Sequence, residues 1–373
     1  MPAPDNGWSW AGDANVFFGY NYQQRQYLDE TAWESQNWLM GSGTRRLGGG
    51  HLELSAMMSL EPFTMHAQGS PQLFQNGETY QGVSLVNYQH PHDLFMELGG
   101  TYRWTPPGRA QYFVGAYAVG SPTLGPTAFM HRESARDNPQ APLAHHVMDS
   151  THISYGVVRG GADVGAFTLE ASAFRGAEPD EDRVGLEAPA LDSWAARIQW
   201  NHGPWHAQFS GGHMHQPEFV EPYDVTRITA SLSFDGEVKA RPLHVTLGWG
   251  TDREFNGYNG NHNGYLAEWD ARLSRWATLF GRAEWVDKEP FSQPRHPPGL
   301  QHPHYYFKVG ALTLGYVQEL MQGRWGRVGI GADATVYHMP ELFQLFWDGS
   351  HSYHVFLRWR PAMPSGHMGM KMN

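Results

Sequence analysis

The chain has 373 residues, with 43 Gly, 25 Pro, no Cys, 14% aromatic residues, 17% charged residues and a formal net charge of −11. The aromatic content excludes intrinsic disorder, and the lack of Cys excludes a disulfide framework, a thiolate metal centre and a Cys nucleophile. Scattered Lys and Arg exclude the basic stripe of a nucleic-acid binder, and apolar runs such as Leu94 to Met96 or Tyr112 to Val114 fall far short of the roughly 20 residues of a membrane helix.

The opening Met1-Pro2-Ala3-Pro4-Asp5-Asn6-Gly7-Trp8 lacks the basic start and apolar core of a secretory signal and is read as the start of a mature chain. From there almost every segment alternates apolar and polar residues, the period of a strand with one greasy face. The alternation predicts sixteen strands, over 13–25, 33–46, 50–62, 94–105, 110–121, 152–164, 166–178, 192–203, 205–218, 224–236, 241–254, 263–274, 276–289, 304–318, 325–338 and 350–361. Leu94, Met96, Leu98, Gly100, Tyr102 and Trp104 oppose Phe95, Glu97, Gly99, Thr101 and Arg103. Trp194, Ala196, Ile198 and Trp200 oppose Ser193, Arg197, Gln199 and Asn201. Leu243, Val245, Leu247 and Trp249 oppose His244, Thr246, Gly248 and Gly250, and Val328, Ile330, Ala332, Ala334 and Val336 oppose Gly329, Gly331, Asp333 and Thr335. In the last strand Tyr353, Val355, Leu357 and Trp359 oppose His354, Phe356, Arg358 and Arg360.

These strands are longer than the five or six residues usual in a soluble sandwich, and their connections alternate. Short turns are expected at 47–49, 106–108, 165, 202–204, 236–240, 275 and 321–323, and longer connections at 26–32, 63–93, 122–151, 179–191, 219–223, 255–262, 290–303 and 339–349. That rhythm predicts an all-β, up-and-down antiparallel transmembrane barrel with short periplasmic turns, long extracellular loops and both termini in the periplasm. Trp8, Trp10, Tyr102, Trp104, Trp194, Trp200, Trp249, Trp285, Tyr353 and Trp359 fall near strand ends, where two interfacial girdles belong. No linker divides the chain, so residues 1–361 form one barrel domain and 362–373 a Met/His-rich tail.

On this pattern the chain resembles bacterial outer-membrane β-barrels of the porin class over nearly its whole length, although such barrels commonly finish on an aromatic residue of the last strand and here Arg360 and a tail follow Trp359. The stretches Leu124 to Pro139 and His145 to His152 also resemble uncharacterised proteobacterial barrels associated with heavy-metal-resistance loci. The resemblance implies an outer-membrane location, a lipid bilayer as partner and small polar solutes or ions as cargo.

A sixteen-strand barrel is wide enough for water. The inward rows supply Glu97, Arg103, Glu170, Arg197, Arg227, Arg282, Glu284, Lys308, Asp333, Arg358 and Arg360 as pore-lining candidates of both signs, and cross-strand pairing that stiffens the wall competes with a selectivity role for each. Connections 63–93 and 122–151 are long enough to fold inward. The second carries Arg132, Glu133, Arg136 and Asp137 and is the preferred constriction, with a solvated surface cap as its alternative.

The 21 His and 15 Met suit borderline and soft ions. His131, His145, His146, the pair His213 and His215 on one strand face, His302, His304 and the tail's Met368 and Met370 are candidate weak copper-like ligands. No cofactor is required, and most of these groups are expected to serve as ordinary loop and girdle residues. Ser150 and His152 beside Asp149 lack the spatial relation that a hydrolase triad needs, and no phosphate or dinucleotide loop occurs. A passive channel is therefore expected, with a metal-handling barrel second and a membrane-embedded hydrolase third.

Overall fold

Tyr353, Val355, Leu357 and Trp359 of the last strand are exposed while His354, Phe356, Arg358 and Arg360 between them are buried. A greasy exterior and a charged interior are what a sheet closed on itself in lipid requires, because its outer row faces hydrocarbon and its inner row faces the enclosed space. The computed structural model describes residues 7–25, 28–108, 110–219, 223–254, 261–289, 306–341 and 349–362. Its strands are β1 (Ser9–Arg25), β2 (Leu28–Glu34), β3 (Asn37–Leu47), β4 (Gly50–Met58), β5 (Ser70–Tyr80), β6 (Val83–Gln89), β7 (Phe95–Trp104), β8 (Ala110–Gly120), β9 (Ser154–Val164) and β10 (Phe167–Phe174). They continue with β11 (Ser193–His202), β12 (Trp205–Met214), β13 (Val225–Val238), β14 (Arg241–Glu254), β15 (Asn261–Ser274), β16 (Ala277–Lys288), β17 (Phe307–Gly323), β18 (Gly326–His338) and β19 (His351–Arg360).

All but β5 and β6 belong to one antiparallel sheet in which each strand pairs with its sequence neighbour, and β1 pairs with β19 to close it. β2 and β3 lie end to end along β1, β2 against Gly19 to Arg25 and β3 against Ser9 to Val16, so they count as one interrupted staple of the wall. The barrel therefore has sixteen strands, and each overlaps one of the sixteen expected segments. β1 starts earlier than expected, at Ser9, and β4 ends earlier, at Met58. Leu247 is 51% exposed while Thr246 beside it is 3% exposed, so β14 presents its faces as the alternation requires.

Aromatic side chains mark both ends of the outer surface. Tyr102, Trp104 and Tyr112 stack at successive centroid distances of 5.8 Å near the tight turns. Toward the other rim Trp249, Tyr265 and Trp285 lie directly opposite one another across β14, β15 and β16, and Tyr22 stacks on Tyr353 at 4.7 Å.

Four sequence expectations are corrected. Connection 63–93 is not irregular throughout: after a short helix, α1 (Glu61–Thr64), it forms the separate hairpin β5–β6. Register shifts between Pro71, Asn76 and Thr79 break its period, so no alternation marks it. Leu94 and Met96 do not continue the outer row of β7. Irregular register against β4 at Met57/Met58 turns Met96 inward, where it is 2% exposed among interior side chains, the face switch that an extra residue imposes. The turn after β13 is the two residues Lys239 and Ala240, both left-handed at φ 53° and 59°, and the turn after β17 is Arg324-Trp325, just beyond the expected 321–323.

Candidate functional site

The interior is where the charged residues gather. Residues 129–152 form four short 3-10 turns, Phe129–His131, Glu133–Ala135, His145–Val147 and Ser150–His152; the first packs on Trp38, Met57 and Met96 of β3, β4 and β7, and the middle two lie against the inner wall of β14 to β16. Glycine makes that approach possible: a Cβ at Gly250 would strike the Val147 carbonyl, one at Gly248 would meet Met148 Sδ at 2.9 Å, and one at Gly264 would meet Val147 Cγ2 at 2.7 Å.

Ion pairs fix this segment in place. Arg132 donates to Glu268 at 2.6 Å and pairs with Asp149, while Glu268 also accepts from Arg282 at 3.1 Å and from Ser134 at 3.0 Å. Asp137 sits between Arg358 and Arg360, and Arg358 also pairs with Glu319. Arg227 holds Asp252 at 2.7 Å, Ser150 Oγ at 2.8 Å and the His146 carbonyl. Glu284 accepts from the Ala144 amide at 3.0 Å. Burial raises the cost of every one of these charges. At Asp149 burial pushes the carboxyl up, but Arg132 and His145 outweigh it and hold it below the usual carboxylate range. Burial likewise disfavours the Arg132 cation, and Glu268 with Asp149 overcomes it.

The segment also reaches the seam where the first and last strands meet. The Arg136 carbonyl accepts from Asn15 Nδ2 at 3.0 Å and from Arg360, and Arg360 donates to Asn15 Oδ1 at 3.2 Å. The Arg136 guanidinium holds Glu133 at 3.0 Å and lies 3.8 Å from Asp13.

Two more connections complete the filling. Arg183 pairs with Asp93 at 3.2 Å and with Glu78 of β5, Glu181 accepts from Thr79 and from the Gln81 and Gly82 amides, and Asp93 accepts from Tyr155 at 2.8 Å. Burial pushes the Asp93 carboxyl up to about 6 despite Arg183, whereas at Glu78 Arg183 and His90 overcome burial and hold the carboxyl down to about 2.

Between these segments five imidazoles stand in mutual contact. His145 lies 5.2 Å from both His146 and His152, His92 lies 5.4 Å from His152, and His90 lies 5.9 Å from His146, centroid to centroid. His92 bonds Glu61 at 2.8 Å, His90 bonds Glu78 at 2.9 Å, His145 bonds Asp149 at 2.7 Å and His152 bonds the Asp149 carbonyl at 2.8 Å. The ring nitrogens of His146 have no hydrogen-bond partner among the described residues. The sequence singled out His145 and His146 but gave no sign that His90 and His92, in another connection, join them.

The opposite wall is different. Glu97, Arg103 and Arg197 face a pocket that Glu53, Ser55, Tyr117 and Arg159 also line. Arg103 lies 3.4 Å from Asp163, Arg197 donates to Glu170 at 2.8 Å, Arg159 donates to Tyr117 Oη at 2.7 Å, and Glu97 accepts from Ser55.

The expected pore lining thus divides. Glu97 and Arg103 stand on the pocket wall, while Arg227, Arg282, Glu284, Arg358 and Arg360 are taken up by the inserted segment. Arg197 does both, lining the pocket while donating to the Gly125 carbonyl of that segment at 2.8 Å, and Glu170 is buried as its partner. Asp333 is buried against His354 at 2.6 Å. Lys308 is corrected: it belongs to the exposed row of β17 with Leu312 and Leu314, its side chain 54% exposed and paired with Asp287 at 2.8 Å. Near the end of the strand the outer row leaves the apolar band, and a charge there is tolerated.

His213 and His215 both reach Asp224, at 3.3 Å and 2.8 Å, but His215 lies past the end of β12 and His213 lines a groove on the outer surface. His302, His304, Met368 and Met370 lie outside the described residues. Among the described residues no three His, Asp or Glu side chains are placed to hold one metal ion. Asp149 serves His145 and Arg132, and Ser150 serves Arg227, so Asp149, Ser150 and His152 are not linked as a triad.

This fold, a closed antiparallel barrel of sixteen strands with a charged interior, is that of bacterial outer-membrane porins. The anion-selective porin from Comamonas acidovorans superposes with a TM-score of 0.60 at 12% identity, covering 95% of this chain and 100% of that one. OmpT of Vibrio cholerae, an outer-membrane protein, superposes with a TM-score of 0.52 at 7% identity, covering 96% of this chain and 99% of that one. At such identities the likeness is one of fold. No protein-family model and no curated protein matches the sequence.

Proposed function

We propose that this chain is an outer-membrane diffusion channel for small polar solutes or ions, with segment 122–151 as its constriction. The observation that carries this reading is the division of the interior. One wall is neutralised by the inserted segment, and the other, around Arg103, Arg159, Arg197, Glu53 and Glu97, lines the pocket beside it. Charges of both signs around a narrow aqueous passage admit polar solutes and reject apolar ones, while the sign balance at the narrowest point sets ion preference. The long connections face outward from the cell and the tight turns face the periplasm.

Planar-bilayer recording tests this directly. The purified chain should give small, steady conductance steps, and deleting residues 126–148 should enlarge them several-fold. Conductance indistinguishable from that of an empty bilayer, both before and after the deletion, would remove the channel reading.

A further inference from the structure

The pocket on the less occupied wall has a second character at its upper end. Met40 of β3, Met57 of β4, Met96 of β7 and His131 of the inserted segment line it together, and Met40, Met57 and Met96 belong to one buried cluster. A ring nitrogen of His131 lies 3.3 Å from Met57 Sδ. Two tetrahedral ligands at roughly 2.0 Å and 2.3 Å from one ion sit about 3.5 Å apart, so these donor atoms already stand at nearly the separation that a shared ion imposes.

We propose that His131, Met57, Met96 and Met40 form a binding site for a soft monovalent metal ion, Cu(I) in chemical class, inside the barrel. Thioethers and a neutral imidazole are soft or borderline donors that favour such an ion over Mg²⁺ or Ca²⁺. Four uncharged ligands suit a single positive charge, which leaves no large excess charge to bury. Three of the donors come from separate strands and the fourth from the inserted segment, so the site exists only when that segment is seated. The Trp38 ring lies 4.6 Å from that of His131 and provides a built-in reporter.

Silver(I), a redox-inert probe of the same class, should be titrated into the full-length chain in detergent, with heat and tryptophan emission followed together. One equivalent should bind, with emission quenching that the Trp38→Phe variant lacks. Met57→Leu and Met96→Leu, which nearly conserve volume, should each weaken binding at least tenfold while leaving the heat-modified gel mobility of the barrel unchanged. Unaltered binding in both variants would overturn the proposal. So would binding that disappears on truncation after Pro364, which would place the ion on the tail. Conductance is a separate measurement, so this proposal and the channel reading fail independently.

Discussion

The two halves of the inner wall carry the same kinds of residue and use them differently. On β13 to β19, Arg227, Arg282 and Arg358 are each at most 3% exposed, and every one has a carboxylate and a contact to the inserted segment. On β7 to β11, Arg103 and its partner Asp163 remain 21% and 28% exposed. The difference teaches that an inward charge has no intrinsic role: where a segment covers it, it becomes an anchor, and where water reaches it, it stays a half-exposed ion pair.

The largest effect should come from removing an anchor. Asp137→Ala leaves Arg358 with Glu319 alone and strips Arg360 of its carboxylate. Breaking a buried pair from one side costs about 3–5 kcal/mol, so equilibrium urea unfolding or proteolysis within 122–151 should show a loss of that order. A change below about 1 kcal/mol would erase the distinction between the two walls.

Acid should act next, and on the anchored wall. Burial and neighbouring positive groups hold His145, His146 and His152 below their ordinary range. Each binds its proton more readily once released from the fold, so the stability they confer is complete above about pH 6.5 and is lost as the pH falls toward their depressed values. Each contributes a slope of about 1.4 kcal/mol per pH unit in that window. Hydrogen exchange of amides 129–152 should accelerate between pH 6.5 and 4.5 while the strand amides stay protected. Uniform exchange at both pH values would contradict this.

A steric version of the same test is Gly250→Val, whose side chain would collide with the Val147 carbonyl. Overfilling of this kind costs about 1–3 kcal/mol, and single-channel conductance should rise as the segment shifts while the barrel itself persists. The smallest stability effect should come from Arg103→Ala, within about 1 kcal/mol because its ion pair is half-open to solvent. Its reversal potential in a salt gradient should nevertheless move toward cations, and an unchanged potential would take Arg103 out of the ion path.

Much of the wall was legible in the sequence because alternation is a local signal. Sixteen runs of it located every strand of the wall, and the apolar rows identified the outer face. Position along the membrane normal was less legible, since period alone places Lys308 in a row without saying which face or depth that row has reached. Bulges were invisible too, and the one beside Met96 reversed its face. The site resisted most. Asp137 pairs with residues 221 and 223 positions away, and Met57 meets His131 from 74 positions away, so neither spacing nor adjacency announces them. His145 and His146 were noticed as neighbours, but their partners His90 and His92 belong to a connection whose hairpin carries no periodic signal.

The contacts of Arg136 and Asp137 with Asp13, Asn15, Arg358 and Arg360 have a consequence for how the molecule is assembled. They bind the chain's first strand and its last to a point near the middle, across separations of 121 to 224 residues. No unclosed sheet offers both halves of that grip, so the segment has its full seat only after β1 and β19 have joined. Contacts so distant in sequence form late, because the chain must first be brought together at an entropic cost. The segment thus acts as a latch on the finished cylinder, and protease resistance of residues 129–152 during refolding should appear together with barrel closure rather than ahead of it.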